Sequence, residues 1–325
     1  MTAESTRREF LTLGVGLFVA LSLPLALRRR ALLTRRTLPL MGTLAELQVV
    51  HPDERLAEAA IDEALAELLW VERTMTRFQP DSDIGRANRR AAREAVSLTP
   101  ATATVIAAAL RWAAASDGRF DPALGSASEL WDVLNRKSPP PEPEVQRLAA
   151  RRFWRKVDLD RFGGGPSVRF EDPDLHLDLG GIAKGYGIDR AAGALRARGI
   201  RHAIVTVGGD LYALGRAPAG GPWRVGIRSP HDRTALAATL EVSDRAVATS
   251  GDYERFFQWR GVRYHHLIDP ETAAPRRTGL HSVTVLADHA MDADAAATAV
   301  FGMPQAEAVR TAGSVAAGAE VIPLA

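Results

Sequence analysis

The sequence predicts an α+β fold, mostly antiparallel sheets packed with helices, and two observations carry that reading. From about Thr37 onward, patterns of helical and strand spacing alternate. Stretches of strand character around 202–207, 223–228 and 236–241 then follow one another with no helical pattern between them, as in hairpins rather than parallel crossovers. Taken in order, Thr43–Val50 (TLAELQVV) is rich in alternating apolar residues and reads as a strand. Arg55–Met75 places Ile61, Leu65, Leu68 and Leu69 on one face of a long helix. Thr99-Pro100 offers an N-cap followed by proline at the first helical position, and that helix runs to Asp117-Gly118. Pro139–Pro143 is a loop, read as a surface excursion within one domain. The alternating stretch 169–177 leads into a glycine-rich corner, after which a helix runs from Lys184 to Arg198 and stops at Gly199. A strand at Ser282–Leu286 precedes a helix from Met291, and Ala319–Leu324 reads as an edge strand.

Charge and composition narrow the function. The 325 residues include 41 basic and 39 acidic side chains. Seven of the arginines and two glutamates lie in residues 1–36, which leaves 34 basic against 37 acidic over the remainder. The body therefore carries no nucleic-acid footprint. There is no cysteine, which excludes disulfides, thiolate metal sites and a cysteine nucleophile.

Residues 1–36 read as a leader and 37–325 as the functional domain. Arg7-Arg8 with Phe10, followed by the apolar run Leu11–Leu27, resembles a twin-arginine export signal. An ordinary single-span anchor is the alternative, and with no A-x-A cleavage site a membrane tether through residues 11–27 is expected to persist. The implied location is the periplasmic side of the inner membrane.

Several stretches carry polar groups suited to chemistry. The corner Asp178-Leu-Gly-Gly-Ile-Ala-Lys-Gly-Tyr-Gly187 matches neither the P-loop nor the dinucleotide fingerprint. Its glycines still permit close backbone approach, the helix start offers free N–H groups, and Lys184 supplies charge. A purely structural turn accounts for it equally well. In Met291–Phe301, Asp294 and Thr298 are four apart and share one helix face, so two oxygen donors could hold a hard cation. On spacing alone, an acidic helix start with a close-packed alanine face is the simpler account. His265 and His266 point to opposite sides of a strand. Ala248–Tyr253 reads as a polar hairpin-like loop, and Asp210 after Gly208-Gly209 as a ligand or a turn-former.

In order, Met41-Gly-Thr43, Arg119-Phe-Asp-Pro122, Asp178–Tyr186, Gly208-Gly-Asp210, Thr249-Ser-Gly251, His266-Leu-Ile-Asp-Pro270 and Asp294-Ala-Ala-Ala-Thr298 resemble the ApbE family, the bacterial FAD:protein FMN transferases, over roughly residues 38–310. The resemblance implies transfer of FMN from FAD to a threonine or serine hydroxyl of an acceptor flavoprotein, through a phosphoester bond, with release of AMP. It implies Mg²⁺ held by Asp294, Thr298 and a backbone carbonyl placed at Gly181. Met41, Phe78, Arg119, Phe120, Asp121, Asp178, Lys184, Ile268 and Ala297 map to positions that contact FAD. Lys184 is expected to stabilise phosphate charge and His266 to act as base, with His265 as the competing neighbour. The implied acceptors are electron-transport proteins at or outside the membrane. Thr206 and Ala273 depart from the family's usual asparagine and glycine. A Mg²⁺-dependent FAD pyrophosphatase, and a periplasmic flavin-binding protein without turnover, are the competing functions.

Overall fold

The computed structural model describes residues 17–19, 33–160, 164–232 and 234–325. Strand β1 (Leu17–Val19) comes first, then a hairpin of β2 (Leu33–Leu40) and β3 (Thr43–Val50). The two-residue turn between them, Met41-Gly42, has positive φ at both positions, 53° and 68°, the geometry that matches the twist of the flanking strands. Helix α1 (Glu54–Met75) follows, capped by the Asp53 carboxylate, which accepts from the Arg55 and Leu56 amides. It buries Ile61, Leu65 and Leu68, but Leu69 is 39% exposed because it lies one step beyond the apolar stripe. Next come α2 (Asp83–Arg90), β4 (Val96–Ser97) and α3 (Pro100–Ala115). Thr99 caps α3 through the Thr102 amide, and Gly118 ends the segment at φ 84°.

The proline run is a loop only as far as Pro141. After α4 (Gly125–Trp131), Glu142 and Pro143 open α5 (Glu142–Leu148), where proline fits the first turn. Strands β5 (Val157–Asp160) and β6 (Ser167–Phe170) pair with each other, and β6 also pairs with β4. The expected strand at 169–177 ends at Phe170; beyond a turn, His176 makes only an isolated parallel bridge with Leu124. Then follow α6 (Ala183–Ala197), β7 (Ala203–Val207), β8 (Asp210–Leu214), β9 (Trp223–Arg228), β10 (Leu236–Val242) and β11 (Arg245–Gly251). Two short hairpins, β12 (Phe256–Trp259) with β13 (Val262–His265) and β14 (Ile268–Asp269) with β15 (Ala274–Pro275), precede β16 (Ser282–Ala287). The chain closes with α7 (Ala290–Val300), α8 (Gln305–Val315) and β17 (Glu320–Leu324).

The α+β expectation holds. A seven-stranded sheet in the order β17-β16-β11-β8-β7-β3-β2 is antiparallel at every pairing. Side chains alternate across it. Ala203, Val205 and Val207 join the core shared with α1, α6 and α7, whereas Ile204 faces the other way, onto Trp223, Val225 and Val242 of β9 and β10. The sheet is thus covered by helices on one face and by a hairpin on the other. Two further segments differ from the sequence reading. Ala248–Gly251 is strand rather than loop, with the Thr249 hydroxyl 2.8 Å from that of Thr284 on the neighbouring strand. Leu33–Arg36, placed in the leader, belong to edge strand β2, where Arg35 pairs with Glu46 and Arg36 with Glu58 and Asp62. The candidate tether at 11–27 lies outside the described residues apart from Leu17–Val19, which pair with β9. No helix among the described residues is long and apolar enough to cross a membrane.

Candidate functional site

The corner is held from both sides before any ligand is considered. Asn88 exchanges hydrogen bonds with the Leu177 backbone, donating to its carbonyl at 2.9 Å and accepting from its amide at 2.7 Å. The Asp178 amide donates to the Pro122 carbonyl at 2.8 Å. The Asp178 carboxylate is itself fixed, accepting from the Gly180 amide at 2.9 Å and from Arg77 Nε at 3.1 Å. Leu179 then accepts from the amides of Ile182 and Ala183, and α6 begins with Lys184 in its first turn.

Lys184 Nζ reaches Asp294 Oδ1 at 2.7 Å and Asp210 Oδ2 at 2.9 Å, with the Gly180 carbonyl at 3.3 Å. The second oxygen of Asp294 accepts from the Gly185 amide at 3.0 Å, and that of Asp210 from the Thr249 amide at 3.1 Å. Thr298 lies one turn along α7; its hydroxyl donates to the Asp294 carbonyl at 3.2 Å and lies 3.4 Å from Ser250 Oγ. Gly181 faces it so closely that a Cβ there would sit 3.0 Å from Thr298 Oγ1 and 3.1 Å from Phe120. Gly181, Lys184, Asp294 and Thr298 therefore meet in one place, joined by Asp210, which the sequence reading left undecided. The glycine pair before it turns the chain at φ 61° and 98° and delivers Asp210 as the first residue of β8.

Two buried carboxylates share one ammonium, so the cluster carries a net negative charge. Burial alone would depress the Lys184 ammonium, but Asp210 and Asp294 hold it above the ordinary lysine range. Burial, with Asp294 alongside, pushes the Asp210 carboxyl up to about 6 against the pull of Lys184. Among the described residues no three His, Asp or Glu side chains group as a metal centre. A cation here would draw on carboxylate, hydroxyl and carbonyl oxygens, the donor set of a hard ion such as Mg²⁺, and the uncompensated charge fits one.

The other candidates surround this cluster unevenly. Met41, at φ 53°, donates its amide to Glu72 at 2.7 Å and packs beside Gly187 of α6. Phe78 is 78% exposed with the Arg77 guanidinium 4.2 Å over its ring. Phe120 is buried against the corner, and Ala297 is buried on α7 between Asp294 and Thr298. The Asp121 carboxylate braces its own loop, accepting from the Ala123 and Trp154 amides, and burial pushes it up to about 6. Ile268 is half-buried in β14. Arg119 offers its carbonyl to Arg276, a buried side chain that also donates to the Phe301 carbonyl and so ties this loop to the end of α7. Neither Arg77 nor Arg276 was marked by any motif.

The two histidines divide their roles. His265 is buried with both ring nitrogens on backbone: Nε2 donates to the Arg276 carbonyl at 2.8 Å and Nδ1 accepts from the Leu267 amide at 3.2 Å. His266 points Nδ1 at the Arg255 carbonyl, 3.3 Å away, which leaves its Nε2 with a lone pair. Burial and the neighbouring Arg255 hold the His266 ring down to about 3.

The ApbE family profile matches residues 41–322. The chain belongs to the ApbE family. Two relatives, each named FAD:protein FMN transferase, are those of Vibrio cholerae, 33% identical over 82% of this chain and 80% of that one, and of Treponema pallidum, 37% identical over 80% and 76%. Among solved structures, the flavin transferase ApbE of Vibrio cholerae superposes with a TM-score of 0.77 at 29% identity, covering 90% of this chain and 93% of the other. The ApbE protein of Thermotoga maritima gives 0.79 at 29% identity, covering 90% and 94%. Against the ApbE pattern, the alanine at 273 has a geometric meaning. Its φ is 50°, a region glycine enters freely and an L-residue at a cost of about 1–2 kcal/mol. Ala273→Gly is expected to leave stability unchanged or raise it by up to about 1 kcal/mol, read from urea denaturation.

Proposed function

We propose that this ApbE-family chain is a Mg²⁺-dependent FAD:protein FMN transferase that attaches FMN to a threonine or serine hydroxyl of an acceptor flavoprotein. The observation that carries the reading is the buried cluster of Lys184, Asp210 and Asp294 beside Thr298 and Gly181. Asp294, Thr298 and the Gly181 carbonyl would hold Mg²⁺, which supplies charge neutralisation at the FAD pyrophosphate. Met41, Phe78, the Arg119–Asp121 loop, Asp178, Ile268 and Ala297 would line the FAD site, with Asp178 kept in place by Arg77.

The acceptor hydroxyl oxygen attacks the phosphorus on the flavin side of the pyrophosphate, its bond to the AMP phosphate breaks, and AMP leaves. The hydroxyl proton passes to His266 Nε2, the ring nitrogen that no carbonyl occupies. Because the ring stays neutral across the working range, the base is always in its accepting form. His266→Ala is expected to lower transfer by about 10²–10⁴-fold with FAD binding retained, and its pH–rate profile should run parallel to wild type above about pH 5. His265→Ala is expected to act on stability instead, since both of its nitrogens serve the fold.

The test mixes the protein with FAD, Mg²⁺ and a candidate acceptor, then reads flavin fluorescence on the denatured acceptor. AMP without labelled acceptor would indicate the pyrophosphatase, and neither product a flavin-binding protein. The leader at Arg7-Arg8 supports export to the periplasmic side of the inner membrane, where a redox flavoprotein would be the acceptor.

A further inference from the structure

The two carboxylates on Lys184 raise a question of charge balance once Asp294 is given to a cation. Asp294 has one oxygen on the Gly185 amide and the other on Lys184, so a cation that takes Asp294 competes with the ammonium for that carboxylate. A half-buried ammonium left without a carboxylate is disfavoured. Asp210 removes that cost. It stands on a different element, anchored by the Thr249 amide and the Gly208-Gly209 turn, and it already holds Lys184 Nζ at 2.9 Å. Thr298 shares a helix with Asp294 and donates its hydroxyl to the Asp294 carbonyl, and Gly181 packs against Thr298.

We propose that Asp210 is a positioning residue that keeps the Lys184 ammonium in the site while a divalent cation replaces it on Asp294. The lysine is then the site's own counter-ion before the metal arrives, and the exchange leaves every buried charge paired. Freed from Asp294 but tethered to Asp210, the ammonium remains beside the corner where phosphate charge develops. This rests on the cation site of the proposed function, but its test does not depend on flavin transfer.

The chain has only three lysines, Lys137, Lys156 and Lys184, so isotope-labelled lysine gives three side-chain signals by NMR, and Lys184→Arg assigns the third. In the full chain without FAD, MgCl₂ is expected to move the Lys184 signal with the same midpoint as the rise in Tm. Asp210→Asn is expected to weaken Mg²⁺ at least about tenfold, and Lys184→Met to tighten it. If Asp210→Asn does not fold, Asp210→Ser carries the affinity measurement. A Lys184 signal unmoved at saturating Mg²⁺ overturns the proposal, as does Asp210→Asn binding within about threefold of wild type. No Mg²⁺ uptake at millimolar concentration removes the cation site and the proposal with it. Uptake with the lysine shift but no flavin transfer leaves the role of Asp210 standing and refutes the transferase reading.

Discussion

Asp294→Ala is expected to reduce FMN transfer by about 10²–10³-fold or more while the protein stays folded. The carboxylate accepts from both Lys184 and the Gly185 amide one turn before Thr298, so its loss removes the anionic ligand of the proposed cation site. The fold tolerates the change because Lys184 keeps Asp210 as its partner. The comparison that isolates charge is Asp294→Asn, which preserves volume and an acceptor for the Gly185 amide. Both variants are checked by flavin fluorescence on the denatured acceptor beside a melting curve. Full activity in Asp294→Ala would remove this residue from the metal site.

Gly185→Ala should be strongly destabilising and should also disturb the site. A Cβ there would stand 2.1 Å from the Ala290 carbonyl oxygen, 2.5 Å from its carbon and 2.7 Å from Met291 Cα. All three are backbone atoms, so no side chain can turn aside, and the start of α6 must separate from the start of α7. Overpacking of this kind costs about 1–3 kcal/mol and more where backbone must move. The same displacement pulls the Gly185 amide from Asp294. Expected are a Tm lowered by several degrees and a Mg²⁺ affinity reduced with it, measured on one sample by thermal melts with and without MgCl₂. Gly193→Ala on the same helix is the control, since a Cβ there meets nothing.

How far the sequence could be read depended on the range of the interaction. Local signals were legible: the Thr99-Pro100 start, the Gly118 and Gly199 stops, and the four-residue spacing of Asp294 and Thr298 all follow from backbone geometry over a few residues. Thr249 and Ser250 misled because hydroxyls usually mark turns; in the sheet the Thr249 hydroxyl is satisfied across strands by Thr284, a partner 35 residues away. Leu33–Arg36 were hidden by their arginines, whose ion pairs come from β3 and α1. Asp210 could not be joined to Lys184 from spacing, since the two meet only when β8 packs beneath α6. Arg276 shows the limit most plainly: a buried arginine on carbonyl oxygens has no periodicity to announce it.

The pairing of β3 with β7 sets a condition on biosynthesis. Ala45 lies opposite Val207, so the N-terminal hairpin waits for more than half of the polypeptide before its inner edge finds a neighbour. Until then the apolar stripe of α1 has no finished sheet to lie on, and closing so long a loop is slow. A nascent chain that stops short of β7 is therefore expected to stay protease-sensitive and to be held by chaperones, with native structure arising only near completion of synthesis. Ribosome-stalled chains of graded length, probed by limited proteolysis, would locate that threshold.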